Sequence, residues 1–206
     1  MAGCLAGDIS VAKDVIVALA AAVTAIVAIV GLKKWQQELH GKANFEVARG
    51  LARATYKLRD DLTAARSRFV SGTEYPQDYD DKEKDPEAAA KAWAHVFTKR
   101  WAPVSKALIE FETQSLEAEA LWGTGITTEV DRFRRCAHTV FVSYESILDD
   151  KRAGGDHFKH DANFGKLTRS QAFGSLDDKD NQLSVEILNS VSALEEKLKP
   201  HLARKR

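Results

Sequence analysis

Two arginine–histidine pairs are the short-range constellations in this chain that have a chemistry attached. Arg152 and His157 are separated by four residues, and Arg132 and His138 by five. An imidazole that titrates near neutral pH, set beside a permanent cation, could take the proton from an RNA 2′-hydroxyl while the cation holds the phosphate. Surface or hydrogen-bonded histidines draw on the same residue types. His138 shares helical spacing with Ala137 and Phe141, with Arg134 one turn away, whereas His157 comes just after Gly154 and Gly155. Neither setting preorganises a hydroxyl for attack. The expectation is therefore no catalytic residue, with Arg152 and His157 the first candidates and Arg132 and His138 the weaker ones.

Other chemistries find less to work with. The sequence has no glycine-rich phosphate loop, no nucleophile elbow and no His-Glu-x-x-His. Its two cysteines, Cys4 and Cys136, are far apart, so neither a disulfide framework nor a metal site is expected, and no cofactor is. Thirty basic and thirty acidic side chains cancel, which leaves no global field to attract a polyanion, and direct nucleic-acid binding is not expected. Trp93, Trp101, Phe111 and Trp122 recur at helical spacing and read as core rather than as a base-stacking platform.

The elements that would position these residues begin with a membrane segment. Val15 to Leu32 reads VIVALAAAVTAIVAIVGL, without a charge. As a helix it is about 27 Å long, close to the roughly 30 Å of a hydrocarbon core. Lys33, Lys34 and Trp35 follow it at the expected headgroup level, and the positive charge after the span places the C-terminal side in the cytoplasm and the N-terminus outside. The expected organisation is a short extracytoplasmic N-terminus (1–14), a transmembrane helix (15–32) in the inner, or plasma, membrane, and a cytoplasmic helical domain (33–206).

Six of the eighteen span residues are alanine. Asp14, Ala18, Ala21, Ala25, Ala28 and Leu32, continued by Trp35 and Leu39, recur at alternating steps of four and three. Small residues at that spacing let parallel helices approach closely, so the expected partners are further copies of the chain and the membrane lipids. A lone anchor that merely tolerates alanine would show the same pattern.

Beyond the membrane, helical spacing at Ala48, Leu51, Thr55, Leu58, Leu62, Ala65 and Phe69 predicts that the first helix continues as a basic stalk, with nine Lys/Arg against four Asp/Glu from 33 to 69. An acidic, turn-forming loop follows. Asp85 and Pro86 then open a second helix running to Trp122, with Trp93, Phe97, Val104, Leu108, Phe111, Ala118 and Trp122 on its seam and a kink expected at Pro103. A third helix, capped by Thr127 or Thr128, runs to about Asp150 and buries Val130, Phe133, Ala137, Val140, Phe141, Tyr144 and Leu148. Residues 151–176 show no period and read as irregular. A fourth helix carries Leu183, Ile187, Val191, Leu194 and Leu198 and stops before Pro200, with a basic tail from His201 to Arg206. The fold class is all-α, with about four long helices and no strand pattern.

The stretch GLKKWQQELHGKANFEVARGLARATYKLRDDLTAARSRFVSGTEYP, the EALWG at 119–123 and the terminal LKPHL together resemble small single-pass bacterial membrane proteins, in particular the accessory membrane proteins of type VI-B CRISPR systems. The likeness is greatest at Ala48 to Phe69. It implies a divergent HEPN-like helical body, with Arg152 and His157 as counterparts of the HEPN Arg/His motif, although Gly154 and Gly155 depart from a helical motif. It also implies an oligomeric membrane pore that depolarises the membrane in antiviral defence beside an RNA-guided RNase. Two other expectations stay open: a membrane-tethered HEPN ribonuclease, and a non-enzymatic anchor that recruits a cytoplasmic partner.

Overall fold

A run of residues from Ala2 to Ala65 without proline folds as one helix, α1. The remaining helices are α2 (Pro86–Trp122), α3 (Thr127–Arg152), α4 (Asp156–His160), α5 (Ala162–Ala172) and α6 (Gln182–Leu202), with short 3-10 turns at Gly72–Glu74 and Gly123–Ile126. The computed structural model describes residues 2–79 and 85–203, and for residues 2–16 and 18 it describes the backbone alone. Residues 80–84 of the acidic loop and 204–206 of the basic tail lie outside the described residues, as do the side chains of Asp14 and Ala18. Among the described residues there is no strand, and the protein is all-α.

The chain divides into two units, residues 1–45 and residues 46–206. The first is helix α1 up to Phe45. The second has one apolar core. The α1 residues Leu51, Leu58 and Leu62 are fully buried there, each contributing about 1.5–3 kcal/mol by leaving water. Val96, Val104 and Phe111 of α2, Phe133, Ala137 and Val140 of α3, and Ile187 and Leu194 of α6 are buried with them. Phe97 and Tyr144 stack at 4.0 Å between ring centres, and Phe111 meets Phe133 edge-on at 5.4 Å.

Most helix ends follow from local chemistry. Asp85 accepts hydrogen bonds from the backbone N–H groups of Glu87 and Ala88, and Pro86 occupies the first turn of α2, where its missing N–H costs nothing. Gly123, at φ 73°, ends that helix. Asn181 accepts from the N–H of Ser184 to start α6. Pro103 lies inside α2 on its exposed side.

Several expectations are corrected. Residues 151–176 are largely helical: Gly154 and Gly155 turn the chain with positive φ, Asp150 accepts from the N–H of Phe158 at 2.8 Å, and Asp161 caps α5 through the N–H of Phe164. The buried face of α5 is Gly165, Thr168 and Ala172, so no apolar period advertises it. A β-carbon on Gly165 would lie 2.8 Å from Phe158. Helix α1 stops at Ala65, which leaves Phe69 77% exposed. Phe141 sits at the rim of the core against Trp101. Neither Thr127 nor Thr128 caps α3, because the preceding 3-10 turn runs directly into it and the N–H of Thr127 bonds to Thr124. Pro200 lies within the last turn of α6, where it forfeits a single backbone hydrogen bond, and the helix reaches Leu202.

Candidate functional site

The apolar part of α1 is the feature with the clearest physical demand. Val17 and residues 19–43 of α1 are all exposed, including Val23 (59%), Ile26 (61%) and Val30 (60%). Among the described residues one helix is thus long and apolar enough to cross a membrane, and none of its apolar window is buried within the protein. A core helix of a soluble protein would carry the same composition under neighbours. The seam residues Ala21, Ala25, Ala28 and Leu32 are exposed, so the protein's own fold does not use them. Thr24, the one hydroxyl in this stretch, donates to the carbonyl of Ala20, which satisfies it inside the helix. Lys33, Lys34 and Trp35 follow on the same helix, all exposed.

The arginine–histidine pairs are placed less favourably for chemistry. Arg152 is in the last turn of α3, where it pairs with Asp149 at 2.8 Å, and His157 is in α4, past the two positive-φ glycines. Both are exposed. His138 is also exposed, and six helical residues set it about 120° around α3 from Arg132. Arg132 faces the other way and grips Glu186 of α6 with two bonds of 2.5 and 2.9 Å. That hydrogen-bonded pairing raises the arginine pKa and holds the Glu186 carboxyl below its ordinary value. Arg134 pairs with Glu112 and Asp131. The arginines of both pairs therefore serve ion pairs of the fold, and neither histidine is in a recess that excludes water.

Two arginines that spacing did not single out organise the body. Arg66 is fully buried and donates to the carbonyls of Ser170 and Gln171, to Asn181 Oδ1 and to Ser184 Oγ, at 2.9–3.2 Å. Burial lowers its pKa to about 10, so it remains a cation at neutral pH. Gly174 passes close beside it, and its N–H donates to the Arg66 carbonyl. Arg100 of α2 donates to Glu74 and to the carbonyls of Ala65, Ser67 and Phe69, supplying partners where α1 ends. Tyr144 gives the Ala65 carbonyl a further donor at 2.5 Å, and burial raises that phenol to about 12. The only sequence signal of either arginine was a charge at a helical position that should be apolar or next to one.

The described residues include no group of three or more His, Cys, Asp or Glu side chains able to hold a metal ion. Cys136 is a buried thiol, raised in pKa by burial, beside Ser190 Oγ at 3.9 Å. The class defined by fold and site is an all-α protein with one helix suited to crossing a membrane. Comparison with family models, curated proteins and solved structures finds no match.

Proposed function

We propose that the chain is a membrane-embedded protein of bacterial antiviral defence that works as a homo-oligomer, its span helices packed through the alanine seam into a pore or membrane-depolarising assembly. The observation that carries this reading is the exposure of the described apolar residues of α1, from Val17 and Leu19 onward, with Ala21, Ala25, Ala28 and Leu32 of the seam among them. Lipid satisfies its outward-facing Val, Ile and Leu side chains. Helix packing in lipid gains from close backbone approach, which Ala21, Ala25 and Ala28 permit and larger residues would prevent. Lys33, Lys34 and Trp35 anchor the cytoplasmic end in the inner membrane, with the N-terminus outside. The link to an RNA-guided RNase rests on the sequence resemblance alone. No step of this activity requires a catalytic residue or a cofactor.

The test is the mass of the full-length protein in mild detergent together with membrane potential in expressing cells under infection. An oligomer that Ala25→Leu disperses, and depolarisation that the same substitution abolishes, is the expected result. A monomer in detergent with unchanged membrane potential would sink the proposal.

A second reading, a tether that recruits a cytoplasmic partner, is favoured by the body from Glu46 onward having a core of its own. Deleting residues 1–32 separates the two, since partner binding would survive and depolarisation would not.

A further inference from the structure

Most arginines of the body are matched to carboxylates: Arg59 to Asp60, Arg100 to Glu74, Arg132 to Glu186, Arg134 to Glu112 and Arg152 to Asp149. In one neighbourhood two cations lie over aromatic rings instead. A shallow recess of about 340 Å³ is lined by Arg68, Trp93, Arg169, Ser170 and Phe173. Lys151 Nζ lies 4.6 Å over the Trp93 ring, and the Arg169 guanidinium lies 5.0 Å over Phe158. Among the described residues, neither cation has a carboxylate within ion-pair distance, whereas Arg68 is held by Asp178 at 3.0 Å. Lys151 comes from the end of α3, Arg169 from α5 and Arg68 from the segment after α1, so three separate parts of the chain bring positive charge to one apolar floor.

That floor is aromatic. Trp93 and Phe173 meet edge to face at 6.1 Å, and both are only partly buried. The wall is fixed from behind: the buried Arg66 holds the Ser170 and Gln171 carbonyls, which sets the end of α5 that presents Arg169 and Phe173. A recess of this volume falls in the roughly 300–1,000 Å³ range of small-molecule sites. Arg169 in the recess and Lys151 over its Trp93 wall, neither of them ion-paired, match one or two phosphate groups, and aromatic side chains suit the face of a base. A polynucleotide would need a longer track of cations than this, because its affinity is built from many phosphate contacts.

We infer that this recess is a binding site for a nucleoside phosphate, with Arg169 and the neighbouring Lys151, which lies over Trp93, taking the phosphates and Phe173 the base. The inference goes beyond the proposed membrane activity and does not depend on it. Binding is measured by calorimetry on the full-length protein in detergent micelles, titrated in turn with ATP, GTP, CTP and UTP, and with pyrophosphate and adenosine as separate probes. At least one triphosphate is expected to bind with a submillimolar Kd, and pyrophosphate and adenosine at least about tenfold more weakly.

Arg169→Gln and Lys151→Gln are each expected to weaken binding by about tenfold, the value of one charge-assisted hydrogen bond. Arg169→Lys should recover part of the loss, and Arg135→Gln, outside the recess, should change nothing. Far-ultraviolet circular dichroism on each variant establishes that it is folded, and Arg169→Lys carries the test if Arg169→Gln is not. No binding of any triphosphate, pyrophosphate binding as tightly as a triphosphate, or binding indifferent to both glutamine variants would each overturn the assignment.

Discussion

Replacing Arg66 by methionine removes the buried guanidinium while keeping most of its volume, and this isolates what the polar network contributes. Four acceptors lose a donor: two backbone carbonyls, Asn181 Oδ1 and Ser184 Oγ. At about 1.5–3 kcal/mol for each bond to a charged group, the gross loss exceeds roughly 6 kcal/mol. Against this, the variant no longer has to desolvate a cation. The fall in pKa from 12.5 to about 10 sets that return at about 3 kcal/mol. Two acceptors also keep a partner, since the Ser170 carbonyl still receives Asn181 Nδ2 and Asn181 Oδ1 still receives the Ser184 N–H. The net expectation is a loss of about 3–5 kcal/mol, the range for breaking a buried charged network.

The assay is urea unfolding of the full-length protein in mild detergent, followed by tryptophan fluorescence, with Trp93, Trp101 and Trp122 all in the body. For a body of this size the same loss lowers the thermal midpoint by about 10 °C. Arg66→Lys should also lose stability, because a point charge cannot fork across four acceptors. A urea midpoint unchanged or raised in Arg66→Met would refute the reasoning, since it would mean that desolvation outweighs the hydrogen bonds.

Three further outcomes follow from the same geometry. Gly174→Ala puts a β-carbon 2.6 Å from Arg66 Nη2 and 2.8 Å from Asn181 Nδ2, and should cost about 1–3 kcal/mol in the same unfolding assay. Glu74 is held below its ordinary carboxyl pKa by its hydrogen bond to Arg100, so its contribution should be complete above the unfolded value near 4.5 and vanish as pH falls through the folded value. The stability difference between wild type and Glu74→Gln, measured from pH 7 to pH 3, should therefore shrink toward acid. Val23→Asp replaces an exposed apolar side chain near the middle of the expected span and should oppose insertion by about 3 kcal/mol, read as a shift of the protein from the membrane to the soluble fraction after carbonate washing.

The helices that were legible in the sequence are those whose buried face is large and apolar. All five residues expected on the buried side of α6, from Leu183 to Leu198, are buried, and the α1 stripe from Ala48 to Ala65 is as well. Helix α5 escaped because glycine, threonine and alanine make its contact face, where closeness to Phe158 matters and hydrophobicity does not. The end of α1 escaped for a different reason. No glycine or proline stands at Arg66, and the partners of the free carbonyls come from Arg100 and Tyr144, far along the chain. Local propensity would let α1 continue to Phe69, and tertiary hydrogen bonding stops it.

The same distinction governs function. A bilayer meets one contiguous stretch, so eighteen uncharged residues with lysines after them carry their meaning in order, and the described side chains of that stretch are exposed. A recess meets residues by convergence. Arg68, Trp93 and the neighbouring Lys151 come from separate places in the sequence, and only Arg169 and Phe173, one turn apart at the end of α5, are related by spacing. Trp93 read as core because it stands on the seam of α2, and it does touch Phe97. Its other neighbours, Lys151 and Phe173, are what give it a second character, and the turn through Gly154 and Gly155 with the short helices after it is what carries the chain from one of them to the other. A region that shows no period in the sequence therefore supplies two walls of the site, and substitutions at Gly165, where a β-carbon would meet Phe158, or at Gly174, where it would meet Arg66 and Asn181, should perturb the recess without touching it.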